Sequence, residues 1–252
     1  YAGEEQTLFE SLAETLGYHA NKDAMLHLAL RAPLRAIREC PEALLFGTAG
    51  FLLPVLPDSC TAEAVAHHKK LWTQWWPLRE QFELAPERSF PWTFSGSRPA
   101  NHPQRRAGAL AVIAADFATF KRLCHSGPAE ELADYLSSLR HPYWSTHVTL
   151  PSAPSPRPMA LMGRDRILDF TVNHLFPAKG DEHAWLHYLS LRAGQAGTKV
   201  LSVHQSLLGG RPDAKAFLAK AWHHQALLQI HEDLCSLHSC TVCSLIGRMG
   251  KK

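Results

Sequence analysis

The 252-residue chain has no strong excess of charge. Lys and Arg exceed Asp and Glu by only three, a formal +3, which is not the balance of a dedicated nucleic-acid binder, although a local basic patch is compatible with it. It has no apolar run of the roughly 20 residues that a bilayer-spanning helix needs. Six cysteines in this length exclude a disulfide scaffold. No Walker A sequence, G-x-S-x-G, H-E-x-x-H or Rossmann fingerprint is present. The opening Tyr1-Ala2-Gly3-Glu4-Glu5 has neither an initiator Met nor a signal-peptide pattern, so the expectation is a piece of a longer cytoplasmic protein. Histidine, by contrast, is abundant. The 16 imidazoles add positive charge below roughly pH 6.5.

Apolar residues recur at helical spacing and nowhere at strand spacing over a useful length. Leu8, Phe9, Leu12 and Leu16 mark a first helix ending at Gly17. Leu26, Leu28 and Leu30 mark a second, which stops near Pro33. Pro41 suits the first turn of a third segment, Glu42 to Phe46. Thr61 is a plausible N-cap for a helix whose Leu71, Trp75, Leu78 and Phe82 share one face, with a kink or break expected at Pro77. Ala107, Leu110, Ala111, Ala114 and Phe117 form a small-residue face suited to close packing, and Pro128 opens another helix. Residues 150–158 carry four prolines in nine positions and read as a linker or a long surface loop. Further helices are expected near 164–176, 181–192, 197–208 and 212–236. The fold class expected is all-α, an irregular array of short helices. Its organisation is a subdomain over 1–149, a Pro-rich linker or loop over 150–163 and a second subdomain over 164–252.

Three cysteines cluster at the end as C-x4-C-x2-C: Cys235, Cys240 and Cys243. A C-x2-C pair presents two sulfurs to one ion from a tight turn, and Cys235 at a helix end closes a third vertex. Zinc takes four ligands, so one is missing, with His231, His238 and the distant His147 as candidates. An iron–sulfur cluster is the alternative and would recruit Cys40, Cys60 or Cys124. Reduced, partly buried thiols with no metal are the plain reading.

Arg98, Asn101, Arg105 and Arg106 surround a rigid turn at a helix start. With first-turn N–H groups they form a candidate phosphate site; the competing reading is that the arginines serve the core. In His141-Pro-Tyr-Trp-Ser-Thr-His147, His147 is a candidate ligand or acid–base group, and a satisfied structural histidine is the alternative. Trp72, Trp75, Trp76 and Trp92 read as core. The adjacent pairs His67-His68 and His223-His224 make poor metal clips, because helical neighbours point about 100° apart.

Taken together, these segments resemble one family. Leu16-Gly17-Tyr18 with Asn21, Glu42 to Gly47 with Ala49-Gly50, and Arg98 to Asn101 with Pro103, Arg105 and Arg106 resemble successive motifs of the bacterial domain-of-unknown-function family 2851. So do Tyr143-Trp144 with Thr146-His147; Gly163, Asn173 and Pro177; and Gln225 to Gln229 with Cys235, Cys240, Cys243 and Ile246-Gly247. The chain resembles the C-terminal helical part of that family. The resemblance implies a preceding α/β region, absent here, with an acidic pattern reminiscent of a PD-(D/E)xK nuclease core. Departures include His102 and Val148, where the family has aromatics, and Gly194 to Gly197, where its asparagine-rich motif is degraded. The family has no counterpart of His231, which turns attention to His147 as the fourth metal ligand.

Three functions follow as expectations, and none rests on a complete catalytic constellation. The first is a structural or interaction module of a larger bacterial protein, which predicts Arg105 and Arg106 buried against carboxylates. The second is a module contacting DNA or RNA phosphates through Arg98–Arg106. The third is an enzyme centred on His147, Arg105 and Arg106, which requires a pocket around them.

Overall fold

A computed structural model describes residues 3–84, 90–95 and 98–236. It is all-α: among the described residues there is no strand, only an isolated antiparallel bridge between Arg192 and Lys220. The chain divides into two compact units, Tyr1–Phe170 and Thr171–Lys252.

The first unit contains α1 (Glu4–Leu16), α2 (Tyr18–Arg31), α3 (Leu34–Ile37), α4 (Pro41–Thr48), α5 (Ala62–Gln81), α6 (Pro103–Ala115), α7 (Phe117–Ser126), α8 (Ala129–Ser138) and α9 (Arg164–Phe170). Its central element is α6, ten of whose residues are buried, as a helix apolar on nearly every side must be. Small side chains let its neighbours approach. A Cβ on Gly108 would lie 2.6 Å from the Trp144 indole, and one on Gly47 in α4 would lie 2.1 Å from the Trp75 ring. Hydrogen on these two carbons is what allows two tryptophans into the core.

Local signals account for most helix ends. The Thr61 side chain accepts a hydrogen bond from Ala64 N–H, 3.2 Å, at the start of α5, and Pro41 occupies the first turn of α4. No break occurs at Pro77, because α5 runs through it to Gln81. Leu71, Trp75 and Leu78, on both sides of the proline, are buried, and Trp75 and Leu78 join Ala36, Leu44 and Leu84 in one apolar cluster. That shared burial holds the helix together across one missing backbone bond. Between α1 and α2 the chain turns at Gly17-Tyr18, and Tyr18 has φ 53°, a left-handed conformation that costs a residue with a Cβ about 1 kcal/mol or more.

The Pro-rich stretch lies within the first unit, fastened to the loop before it. Ser155 N–H donates to Thr146 O (2.8 Å), Met159 N–H to Ser145 O (2.7 Å), and Leu150 N–H to the Gln104 side chain (2.7 Å).

The second unit contains α10 (Phe176–Lys179), α11 (Glu182–Ser190), α12 (Thr198–Leu208), α13 (Ala214–Phe217) and α14 (Ala221–Ile230), with π-helical turns at Thr171–Leu175 and His231–Cys235. The single helix expected over 212–236 is thus divided between α13, α14 and a π turn. Val200, Val203 and Leu227 form its apolar centre, and Cys235 packs against them. None of its helices, nor any other among the described residues, is long and apolar enough to cross a membrane.

Candidate functional site

Two side-chain clusters in the first unit account for most of the motif residues. The first is built on α6. Arg98 is exposed and precedes a 3-10 turn, Pro99–Asn101, that leads into the helix. His102 caps the helix, its Nδ1 accepting from Gln104 N–H, while its ring stacks on Phe94 at 5.4 Å. The next two guanidiniums turn inward; Arg105 is 0% and Arg106 3% exposed. Arg105 donates to Ala100 O (3.2 Å), Met159 O (2.8 Å) and Ala160 O (2.9 Å). Arg106 donates to Leu161 O (2.8 Å), the Tyr18 hydroxyl (3.1 Å) and Asn101 Oδ1 (2.6 Å).

Tyr18 explains its own strained backbone. Its half-buried ring has the Arg106 guanidinium at 4.8 Å and the Arg166 guanidinium at 3.9 Å from its centroid, a cation–π arrangement. Arg166 is paired with Asp169. Neither Arg105 nor Arg106 meets a carboxylate among the described residues; carbonyl dipoles and the tyrosine ring take that place. Burial, followed by repulsion from Arg106, pushes Arg105 down to about 10. Burial also lowers Arg106. Both remain charged at neutral pH.

Asn21 performs a similar service at a second loop. Its side chain donates to Thr93 O (2.9 Å) and accepts from Thr93 N–H (2.7 Å), satisfying both backbone groups of one residue.

The second cluster joins α4, α5 and the loop after α8. His67, Tyr143 and His147 form a three-ring stack, with centroids 4.0 Å and 3.8 Å apart and planes within 8° and 6°. At one end, His67 Nε2–H donates to Glu42 Oε1 at 2.7 Å, and Trp144 Nε1–H donates to the same oxygen. At the other end, His147 is fully buried. Its Nδ1 lies 3.0 Å from Tyr143 O, and because a carbonyl only accepts, that nitrogen carries the proton. Its Nε2 is buried without a hydrogen bond, 3.9 Å from Glu63 Oε2.

His141 stands beside Glu42, with its Nε2 3.7 Å from Oε2. Its Nδ1 accepts from the N–H groups of Tyr143 and Trp144, both at 3.2 Å. A cavity of about 320 Å³ opens on Glu42 and His141, with Lys70 and Arg140 also lining it. Burial alone would raise the Glu42 carboxyl, but the hydrogen bond and charge of His67, together with His141 and Trp144, hold it below its ordinary range. Burial pushes His141 down, against the pull of Glu42.

Asn101 and Arg106 are bonded to each other and Arg105 lies beside them, but Arg98 is at the surface. His147 belongs to the first unit and Cys235 to the second. Cys235 is a half-buried free thiol, while Cys240, Cys243 and His238 lie outside the described residues. Among the described residues no group of three or more His, Cys, Asp or Glu side chains is placed to hold a metal ion. Sequence reasoning did not single out Glu42, His67 or His141 for chemistry. They are separated by 25 and 74 residues, so no local spacing connects them. The expectation that His67-His68 is not a joint clip agrees with the geometry: His67 meets Glu42, whereas His68 stacks on Trp72 at 5.8 Å.

The fold and these clusters define an all-α module with its polar motif residues turned largely inward. The chain belongs to the family described as "Protein of unknown function (DUF2851)", whose model matches residues 3–185. That match takes in every motif from Leu16 to Pro177 and ends before Gln225–Gly247. No curated protein and no solved structure matches the chain.

Proposed function

We propose that this chain is a structural or interaction module of a larger bacterial protein, in which Arg105 and Arg106 act as internal fasteners. The observation that carries this reading is their bonding. Two buried guanidiniums place their terminal N–H groups on carbonyls 100, 159, 160 and 161, on Asn101 and on Tyr18. A planar five-donor group is suited to gathering several loop carbonyls around one helix, and the loops it gathers include the end of the Pro-rich stretch. The carboxylate partners expected for such a role are replaced by carbonyls, which keep the charge solvated without neutralising it. In a parent of the layout the resemblance implies, this module would support a nuclease-like region outside this chain.

The test is Arg106→Leu, read by urea unfolding and by DNA and RNA binding at low salt. Removing the guanidinium leaves buried acceptors unpaired, at about 1–3 kcal/mol, so the midpoint should fall. Nucleic-acid binding should be absent in the parent chain. Salt-sensitive binding by the parent chain that Arg106→Leu weakens at unchanged stability would favour phosphate recognition instead.

A further inference from the structure

The cavity beside Glu42 contains two polar groups that the fold orients without satisfying. Both donors that reach Glu42, His67 Nε2–H and Trp144 Nε1–H, bond to Oε1. Among the described residues, Oε2 therefore pairs only with His141 Nε2, at 3.7 Å, too far for a hydrogen bond. The His141 tautomer is decided by its other nitrogen. Nδ1 accepts two backbone N–H groups, so in the neutral ring Nε2 carries the proton. The cavity thus presents one fixed acceptor and one fixed donor side by side.

Their surroundings make the pair selective. The Glu42 and His141 side chains are only 16% and 23% exposed, and Ala111, Val112 and Ala115 supply an apolar wall. Lys70 and Arg140 are exposed cations on the same cavity, with the exposed Glu39 as a further charge on its rim. Arg140 Nη1 donates to Ser137 O and Leu139 O, whereas Lys70 has no carboxylate partner among the described residues. The volume, about 320 Å³, is at the small end of ligand sites.

We propose that this cavity binds a small carboxylate bearing an amide. The amide N–H would donate to Glu42 Oε2, its carbonyl would accept from His141 Nε2–H, and the carboxylate would face Lys70 and Arg140. An amide edge carries a donor and an acceptor side by side, as this pair requires. A second carboxylate in its place would set an anion against Glu42 and leave Oε2 without a donor. This inference is independent of the scaffold role of Arg105 and Arg106.

The test uses the whole chain and three probes of one length: succinamate, succinate and succinamide. Long-range ¹H–¹⁵N spectra follow the His141 ring nitrogens during titration. Succinamate should give a saturable shift at His141. Succinate, lacking the N–H, and succinamide, lacking the carboxylate, should each bind about tenfold more weakly, the usual worth of one lost hydrogen bond or charge contact. Lys70→Ala, at an exposed position, should weaken succinamate toward the level of succinamide and leave succinamide unchanged. Glu42→Gln should lose the preference for succinamate over succinate. The absence of a saturable shift with succinamate, or equal affinity for all three probes, would overturn the proposal. Should Glu42→Gln fail to fold, the probe series and Lys70→Ala decide it.

Discussion

Gly108→Ala tests the packing on which the second cluster depends. A methyl group at this position would lie 2.6 Å from Cδ1 and Cγ of Trp144 and 2.7 Å from Cδ2. Carbon atoms in contact prefer about 3.5–4.0 Å, so the indole would have to withdraw by about 1 Å. It has little freedom to do so, because Trp144 is fully buried, its ring stacks on Phe46 at 5.0 Å and its Nε1–H is bound to Glu42. Overpacking of this kind costs about 1–3 kcal/mol. Exchanging Gly for Ala within a helix returns about 0.5–1 kcal/mol. The clash should prevail, leaving a net loss of about 1–2 kcal/mol. Urea unfolding monitored by far-ultraviolet circular dichroism measures it as a lower midpoint at unchanged slope. A variant stabilised by about 0.5–1 kcal/mol would mean that helix propensity is the only effect, and that the indole does not lie on Gly108.

Thr61→Ala should cost about 1 kcal/mol by removing the cap on α5, and an unchanged urea midpoint would refute it. Stability should decline on acidification below about pH 6.5. His68, His102 and His141 are each pushed down by burial, so the unfolded chain takes up protons that the folded chain refuses. A melting temperature that is flat or rising from pH 7 to pH 5 would contradict this; Glu42, held below its ordinary range, adds a further loss only at lower pH, as the pH falls through its folded value. If the C-terminal cysteines hold zinc, elemental analysis should find about one ion per chain, reduced by Cys243→Ser. Visible absorbance with iron would point to a cluster instead, and metal-free protein would remove the site.

Helix positions were legible because their causes are local. Thr61 caps α5 through a bond three residues away, Pro41 starts α4, and the Leu71-Trp75-Leu78 face follows from the period of the helix itself. Pro77 shows the limit of local reasoning: its effect on the backbone is local, but whether the helix survives depends on what both halves pack against. The inward course of Arg105 and Arg106 was weighed from sequence as one of two readings. Their partners were not legible, because carbonyls 159 to 161 are supplied by a segment more than 50 residues away and carry no side-chain signature. The same holds for Asn21, which binds the backbone of Thr93.

The sequence by itself determined an all-α chain, its main helix boundaries and membership in its family, since periodicity, capping residues and ordered motifs are properties of short stretches. Tertiary structure alone decided that Glu42, His67 and His141 share a cluster, that Glu42 and His141 line one cavity, and that two backbone N–H groups meet His141 Nδ1. Those features depend on three segments meeting and on backbone N–H groups choosing a tautomer, neither of which is written in the spacing of any motif.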